Sequence, residues 1–193
     1  MKRIIAATIV GAVICMIWGT LSWMVMNWHT QGILKFKDEV AVKKAILENA
    51  TQPGIYMLPD VLPATDRSGN ASPKAAREMV ELARQSGPFL YGVIRPGAGG
   101  RSMQESLALA SVRCVFASLI VAGLLAMTAR LDFMQRVLFC TLCGAFAGIA
   151  VDLPMLVWFE SPLRYTLINM ADHVMEWFLA GLAISGIVTG KDI

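Results

Sequence analysis

Residues 4–34 contain no Lys, Arg, Asp or Glu, and no other feature constrains the fold as strongly. A helix rises 1.5 Å per residue, so about 20 apolar residues cross the roughly 30 Å hydrocarbon core of a bilayer. The uncharged run is long enough, and three later stretches resemble it. The expected spans are Ile4–Trp28, Leu107–Ala129, Val137–Phe159 and Tyr165–Val188. The chain of 193 residues is 56% hydrophobic and 16% charged, against about 25% charged in a typical soluble domain. That balance excludes an ordinary soluble enzyme and a disordered chain. A net charge of +3 with no basic stripe excludes a nucleic-acid binder.

The predicted architecture is a membrane all-α fold: a four-transmembrane-helix bundle with a small extracytoplasmic α+β insert, residues 29–106, between helices 1 and 2. Its helices are residues 4–28, 107–129, 137–159 and 165–188. The connections 130–136 and 160–164 are short, which makes the last three helices antiparallel neighbours. Lys2 and Arg3 precede an apolar run about twice as long as a signal-peptide core, with no small-residue cleavage site after it, so helix 1 reads as an uncleaved anchor. Lys2, Arg3, Arg130, Arg136 and Lys191 share one side if both termini are cytoplasmic, as in a plasma (inner) membrane protein. Lys35, Lys37, Arg95 and Arg101 argue mildly the other way.

All four cysteines, Cys15, Cys114, Cys140 and Cys143, fall inside spans. The insert therefore has no disulfide framework. Cys140-x-x-Cys143 sits in an apolar helix without a thiolate-stabilising neighbour and reads as small packing residues.

The insert reads helix, strand, loop, helix, strand. Asp38 and Glu39 start the first helix, with Glu39 and Lys43 as an i,i+4 pair and Phe36, Val40 and Leu47 on its apolar face. Pro53-Gly54 ends it. Gly54–Leu58 is a strand stopped by Pro59, and Asp60–Ala71 is an exposed loop. Ser72 and Pro73 are the N-cap and first residue of the second helix, which pairs Arg77 with Glu81. Phe89–Ile94 is the second strand. The glycine-rich turn 97–100 lacks phosphate-loop spacing and reads as a hinge. Asn49-Ala50-Thr51 and Asn70-Ala71-Ser72 match glycosylation triplets of little weight. A two-stranded sheet is not independently stable, so the insert is expected to lean on a membrane-protein partner, a second copy or the helices.

Polarity is most expensive inside the spans, and five ionisable residues interrupt them: Arg113, Asp152, Asp172, His173 and Glu176. Arg113 lies about 9 Å and Asp152 about 10 Å from the outer ends of their spans, with Asp172 at a similar depth. Three helices thus place charge in one outer-half layer. In the fourth span Asn169, Asp172, His173 and Glu176 share a face that Ala180 and Ala183 continue. Arg113 shares one with Ser106, Ala110 and Ala117, and Asp152 with Thr141, Ala145 and Gly148. Gly144 and Gly148 form a G-x-x-x-G, and Ala7, Gly11, Cys15 and Gly19 a seam on helix 1. Pro154 should free a carbonyl near the cluster.

Three carboxylates against one arginine leave a net charge of −2 that a retained proton, a protonated His173 or a bound cation must offset. One reading makes Arg113–Asp152 and Asp172–His173 structural pairs. A second makes the cluster a proton or cation site. The narrowest is a metal held by His29, His173 and Glu176, since His173 and Glu176 at i,i+3 can share an ion. His29, beside Trp23 and Trp28, also fits an interfacial belt, with Trp158, Phe159, Tyr165 and Trp177 near the same level. The residues fix no cofactor and offer no nucleophile or oxyanion arrangement. The leading expectation is a non-enzymatic accessory or scaffolding subunit of a membrane complex, embedded in the lipid bilayer, whose insert binds a partner. The competing one is a proton- or cation-coupled transporter, itself oligomeric.

Overall fold

The computed structural model describes residues 1–59, 73–97, 99–128 and 131–188. The loop expected at 60–71, the Ser72 cap, the second glycosylation triplet, Arg130 and Lys191 lie outside them. The described chain is mostly helical, with one small sheet. It forms two compact units, residues 1–34 with 101–193, and residues 35–100.

The first unit holds α1 (Lys2–Thr20), α4 (Met103–Ala126), α5 (Phe133–Phe159) and α6 (Leu163–Ile187). With the turn that extends α1 to Val25, these are four helices long and apolar enough to cross a membrane. Two begin four residues before the expected spans, and local capping explains both. Ser102 accepts from the Glu105 backbone while the Glu105 carboxylate accepts from the Ser102 backbone, and Asp132 and Gln135 do the same for α5. Such reciprocal caps satisfy orphan N–H groups ahead of the apolar run. At the other end of α5, Glu160 takes the left-handed conformation at φ 55°. The helix continues through Pro154.

Small residues set the packing. On α5 the buried positions Cys140, Gly144, Gly148 and Asp152 recur every four residues and face α6. A Cβ on Gly144 would strike the His173 carbonyl and come within 2.9 Å of Trp177 Cβ. A Cβ on Gly148 would sit 3.1 Å from Met170 Cα, and one on Gly181 would sit 2.7 Å from Cys140 Cβ. Cys140 is fully buried, and all four cysteines are free thiols. Trp177 is buried as well, at 7% exposed. On α1, Ala7, Gly11 and Cys15 are buried, with Gly11 against Ile184 and Ser118. Gly19 meets nothing within 4 Å. The seam continues through Ser22 instead, because 3.6 residues per turn pulls a strict four-residue spacing off its face.

The helix order corrects one expectation. α5 packs closely on α6, but α4 packs on α1, which also packs on α6, and α4 touches α5 only slightly. A short loop fixes the direction of the following helix, not its interface. The Cys114, Ser118 and Ala122 stripe of α4 is buried where it finds the small-residue seam of α1. Arg136 closes the far end of α5 and α6 by donating to the Ser185 and Leu131 carbonyls at 3.1 and 2.7 Å.

The second unit contains α2 (Glu39–Asn49), β1 (Gly54–Leu58), α3 (Pro73–Ser86) and β2 (Leu90–Ile94). Asp38 caps α2 by accepting from Ala41 N at 2.9 Å. Its ion pairs include Lys44–Glu48 and Lys74–Glu78, and Glu81 accepts from Gln85. The strands are antiparallel, with Ile55 opposite Val93 and Leu58 opposite Leu90. α2 has no buried residue. Val40, Met79 and Val93 are 79%, 70% and 74% exposed.

Gly144→Ala is expected to lower stability in detergent by about 1–3 kcal/mol, the usual cost of overpacking, because its neighbour is backbone that cannot turn aside. Gly123→Ala, with nothing within 4 Å, is expected to leave stability unchanged or raise it slightly. Thermal unfolding of the two variants checks the contrast.

Candidate polar cluster and cavity

The C-terminal end of α1 is where the site is made. After Thr20 the helix widens into a π-turn, Leu21–Val25, closed by Met26 N donating to the Leu21 carbonyl at 2.9 Å. Asn27 then adopts φ 56°, and the chain folds back into a short 3₁₀ turn, Thr30–Gly32. Asn is one of the few residues that tolerates this left-handed conformation. The reversal sends His29 inward, and it is only 1% exposed. Contacts to α6 hold the returning chain. Arg164 donates to Gln31, and Gly32 leaves no room for a Cβ against Tyr165.

Three acid–base pairs occupy the layer. Arg113 Nη2 on α4 donates to Glu176 Oε1 on α6 at 3.1 Å. His173 Nε2 on α6 lies 3.4 Å from Asp152 Oδ2 on α5. His29 Nε2 lies 3.5 Å from Asp172 Oδ2. His173 Nδ1 also stands 4.0 Å from Glu176 Oε2, linking the first two pairs. The partners differ from the expected Arg113–Asp152 and Asp172–His173. Because α4 barely meets α5, the carboxylate within reach of Arg113 is the one on α6. Adjacent residues on a helix point about 100° apart, so Asp172 turns to α1 while His173 turns to α5.

Asp172 is the best supplied of the three carboxylates. Its Oδ1 accepts from Trp18 Nε1 at 2.7 Å and from Ser22 Oγ at 2.6 Å. Trp28 Nε1 donates to the same serine at 2.8 Å, and His29 Nε2 is 2.9 Å from it. His29 Nδ1 is 3.0 Å from Asn169 Oδ1. Trp23 stacks on the imidazole at 4.0 Å with the rings 2° from parallel, and Trp28 meets it edge-on. Asp152 is the opposite case. It is 9% exposed, and its Oδ2 is buried with no hydrogen-bond partner.

A cavity of about 660 Å³ opens onto the layer. Arg113, Asp152, Asp172, His173 and Glu176 all line it, with Asn169, Tyr165, Trp18, Trp23 and Gly19. All five ionisable residues singled out in the sequence are therefore brought to one space. His29 is not gathered with His173 and Glu176; its contacts are Ser22, Asn169, Asp172 and the two tryptophans. Among the described residues no group of three or more His, Cys, Asp or Glu side chains is arranged to hold a metal. The sequence reading missed Trp18, Ser22 and Trp28. Their signal was there: Trp18 and Ser22 continue the Gly11–Cys15 face of α1 at i+3 and i+4 spacing.

Compared with protein-family models, curated proteins and solved structures, the chain matches none. The site's own chemistry therefore carries the functional reading. Glu176 is 5% exposed whereas the Arg113 side chain is 56% exposed, so losing the arginine strands a buried charge while losing both partners does not. Arg113→Ala is expected to cost about 1–3 kcal/mol. The double variant Arg113→Ala, Glu176→Gln should recover most of that loss, as denaturant unfolding in detergent would measure.

Proposed function

We propose that this chain is a polytopic integral membrane protein, a four-transmembrane-helix bundle in a plasma (inner) membrane with cytoplasmic termini and an extracytoplasmic insert. Its role is that of a non-enzymatic accessory or scaffolding subunit, in which the insert binds a partner and the polar layer fixes helix register. The observation that carries this reading is the exposure of the insert's apolar side chains. Phe36, Val40, Leu47, Ile55, Met79, Leu82 and Val93 are all exposed, and a two-stranded sheet supplies little core to cover them. Ile55 and Val93 lie opposite each other on the sheet, and large exposed apolar patches mark interaction sites. Purification in mild detergent is expected to retain a stoichiometric partner or a self-oligomer. Ile55→Glu with Val93→Lys, an opposed pair on the sheet, should release it. A stable lone monomer overturns the reading.

A proton- or cation-coupled transporter is the second reading, favoured by the cavity that joins three carboxylates, two of them paired with histidines, in one layer. It calls for pH-dependent flux in liposomes that Glu176→Gln or Asp172→Asn abolishes while the protein stays folded. A wild-type chain without flux, whose variants instead lose stability, returns the cluster to a structural role.

A further inference from the structure

We propose that the cavity lined by α1, α4 and α6 is a binding site for an amphipathic organic ammonium ion, whose N–H groups meet the carboxyl groups and whose apolar body lies against α1 and α4. Naming this ligand class rests on the cavity of the second reading above but requires no flux. The site needs no particular group of the layer to hold a proton.

The space suits an organic molecule. Its volume of about 660 Å³ falls within the range of small-molecule sites, roughly 300–1,000 Å³, and far exceeds what a bare ion fills. The lining runs from Met103 to Arg113 on α4 and from Tyr165 to Glu176 on α6, stretches of about 15 Å at 1.5 Å per residue. Its two ends differ in chemistry. Where α1 ends and α4 begins, the walls are Trp23, Met24, Met103 and Leu107. At the far end stand Arg113 and Glu176, with Asp172 and His173 about one turn nearer. Methionine is flexible and polarizable, so such a wall accepts apolar bodies of varied shape.

The sign of the ligand's charge follows from the groups themselves. Arg113 is the one member of the layer that cannot lose its charge, and it already donates to Glu176 at 3.1 Å. Against it stand three carboxyl groups. Protons can make up the missing positive charge, and an entering cation can replace them without changing the total. An anion would add to the shortfall, which is costly in an apolar helix layer.

Hydrogen bonding points the same way. Glu176 Oε1 has a donor at 3.1 Å, and Asp172 Oδ1 has donors at 2.6 and 2.7 Å. The second oxygen of each is less well met. Glu176 Oε2 is 4.0 Å from His173 Nδ1, and Asp172 Oδ2 is 3.5 Å from His29 Nε2. Asp152 lines the cavity at 9% exposed, and its buried Oδ2 has no hydrogen-bond partner. Three oxygens on two helices thus lack a close donor. A primary ammonium brings three N–H groups, a hydroxyl brings one and a carboxylate none. A metal ion is less well served, since among the described residues no group of three or more His, Cys, Asp or Glu is arranged to hold one.

The test is calorimetric titration of the full chain in lipid nanodiscs with phenylbutylammonium, beside phenylbutanol and phenylbutyrate, which keep the body and change the head. Nanodiscs without protein give the background of partition into lipid. The ammonium ion should bind saturably, and the other two about tenfold more weakly or not at all, since hydrogen bonds to charged groups are the strong ones. Glu176→Gln should weaken binding, but it also unpairs Arg113. A second variant leaves every charge in place. Gly19 lines the cavity with nothing within 4 Å of an added Cβ, so Gly19→Leu projects into the space and should abolish binding while the chain stays folded. Absence of saturable binding, equal binding of the alcohol or the carboxylate, or binding that persists in folded Gly19→Leu overturns the proposal. The wild-type titration decides the first two without any variant. Flux in liposomes is read separately: an amine bound but not moved ends the transporter reading and leaves the site, while proton or inorganic-cation flux without amine binding does the reverse.

Discussion

A half-buried carboxylate in an apolar helix layer, such as Asp172, takes its hydrogen-bond donors largely from the protein, since the alternative is desolvation without compensation. Asp172 finds them on α1, and much of the structure around the cavity follows from that. Trp18 and Ser22 must face α6, which orients the helix that carries them. Trp28 and His29 must return to the same place, which requires the chain to reverse immediately after the helix. α1 is thereby fixed on α6 by polar ties at its C-terminal end and by the Ala7, Gly11 and Cys15 contacts nearer its start.

The other two pairs are held differently. Glu176 is buried but meets an arginine whose side chain is half in the open, so its neutralisation depends on α4 staying close. Asp152 has His173 beside it and keeps an orphaned oxygen. The layer thus grades from a well-supplied carboxylate on the α1 side to an under-satisfied one on the α5 side. Buried polar networks rigidify where every member is satisfied and give way where one is not. The packing does not follow that gradient: Asp152 sits at the close contact of α5 with α6, while the α4–α5 side is thinly closed.

Much of this organisation was readable from residue order. Four long apolar helices, both strands and the order of elements in the insert follow from hydrophobic runs and Gly/Pro punctuation. The common depth of Arg113, Asp152, Asp172 and Glu176 follows from counting residues along antiparallel helices. The pairings were not readable, because depth says nothing about which helices touch. That choice rests on the small-residue seams, and α1 displaces α5 as the neighbour of α4. His29 was misjudged for a different reason. Its position after two tryptophans fits a membrane boundary by composition, and only the left-handed Asn27 turns it inward. Asn tolerates that conformation but does not demand it, so the residue alone could not announce the reversal.

The π-turn at residues 21–25 has a structural meaning of its own. It contains one residue more than a regular helical turn would use to cover the same rise. Removing that residue would restore ordinary helical winding, yet each position beyond it would rotate by about 100° around the axis. The outer wall of the cavity would then present different side chains to α6, although no contacting residue had been replaced. Length in this short stretch is therefore as much a determinant of the site as identity: a chain could keep Ser22, Trp28 and His29 and still lose the arrangement through a single deletion between them.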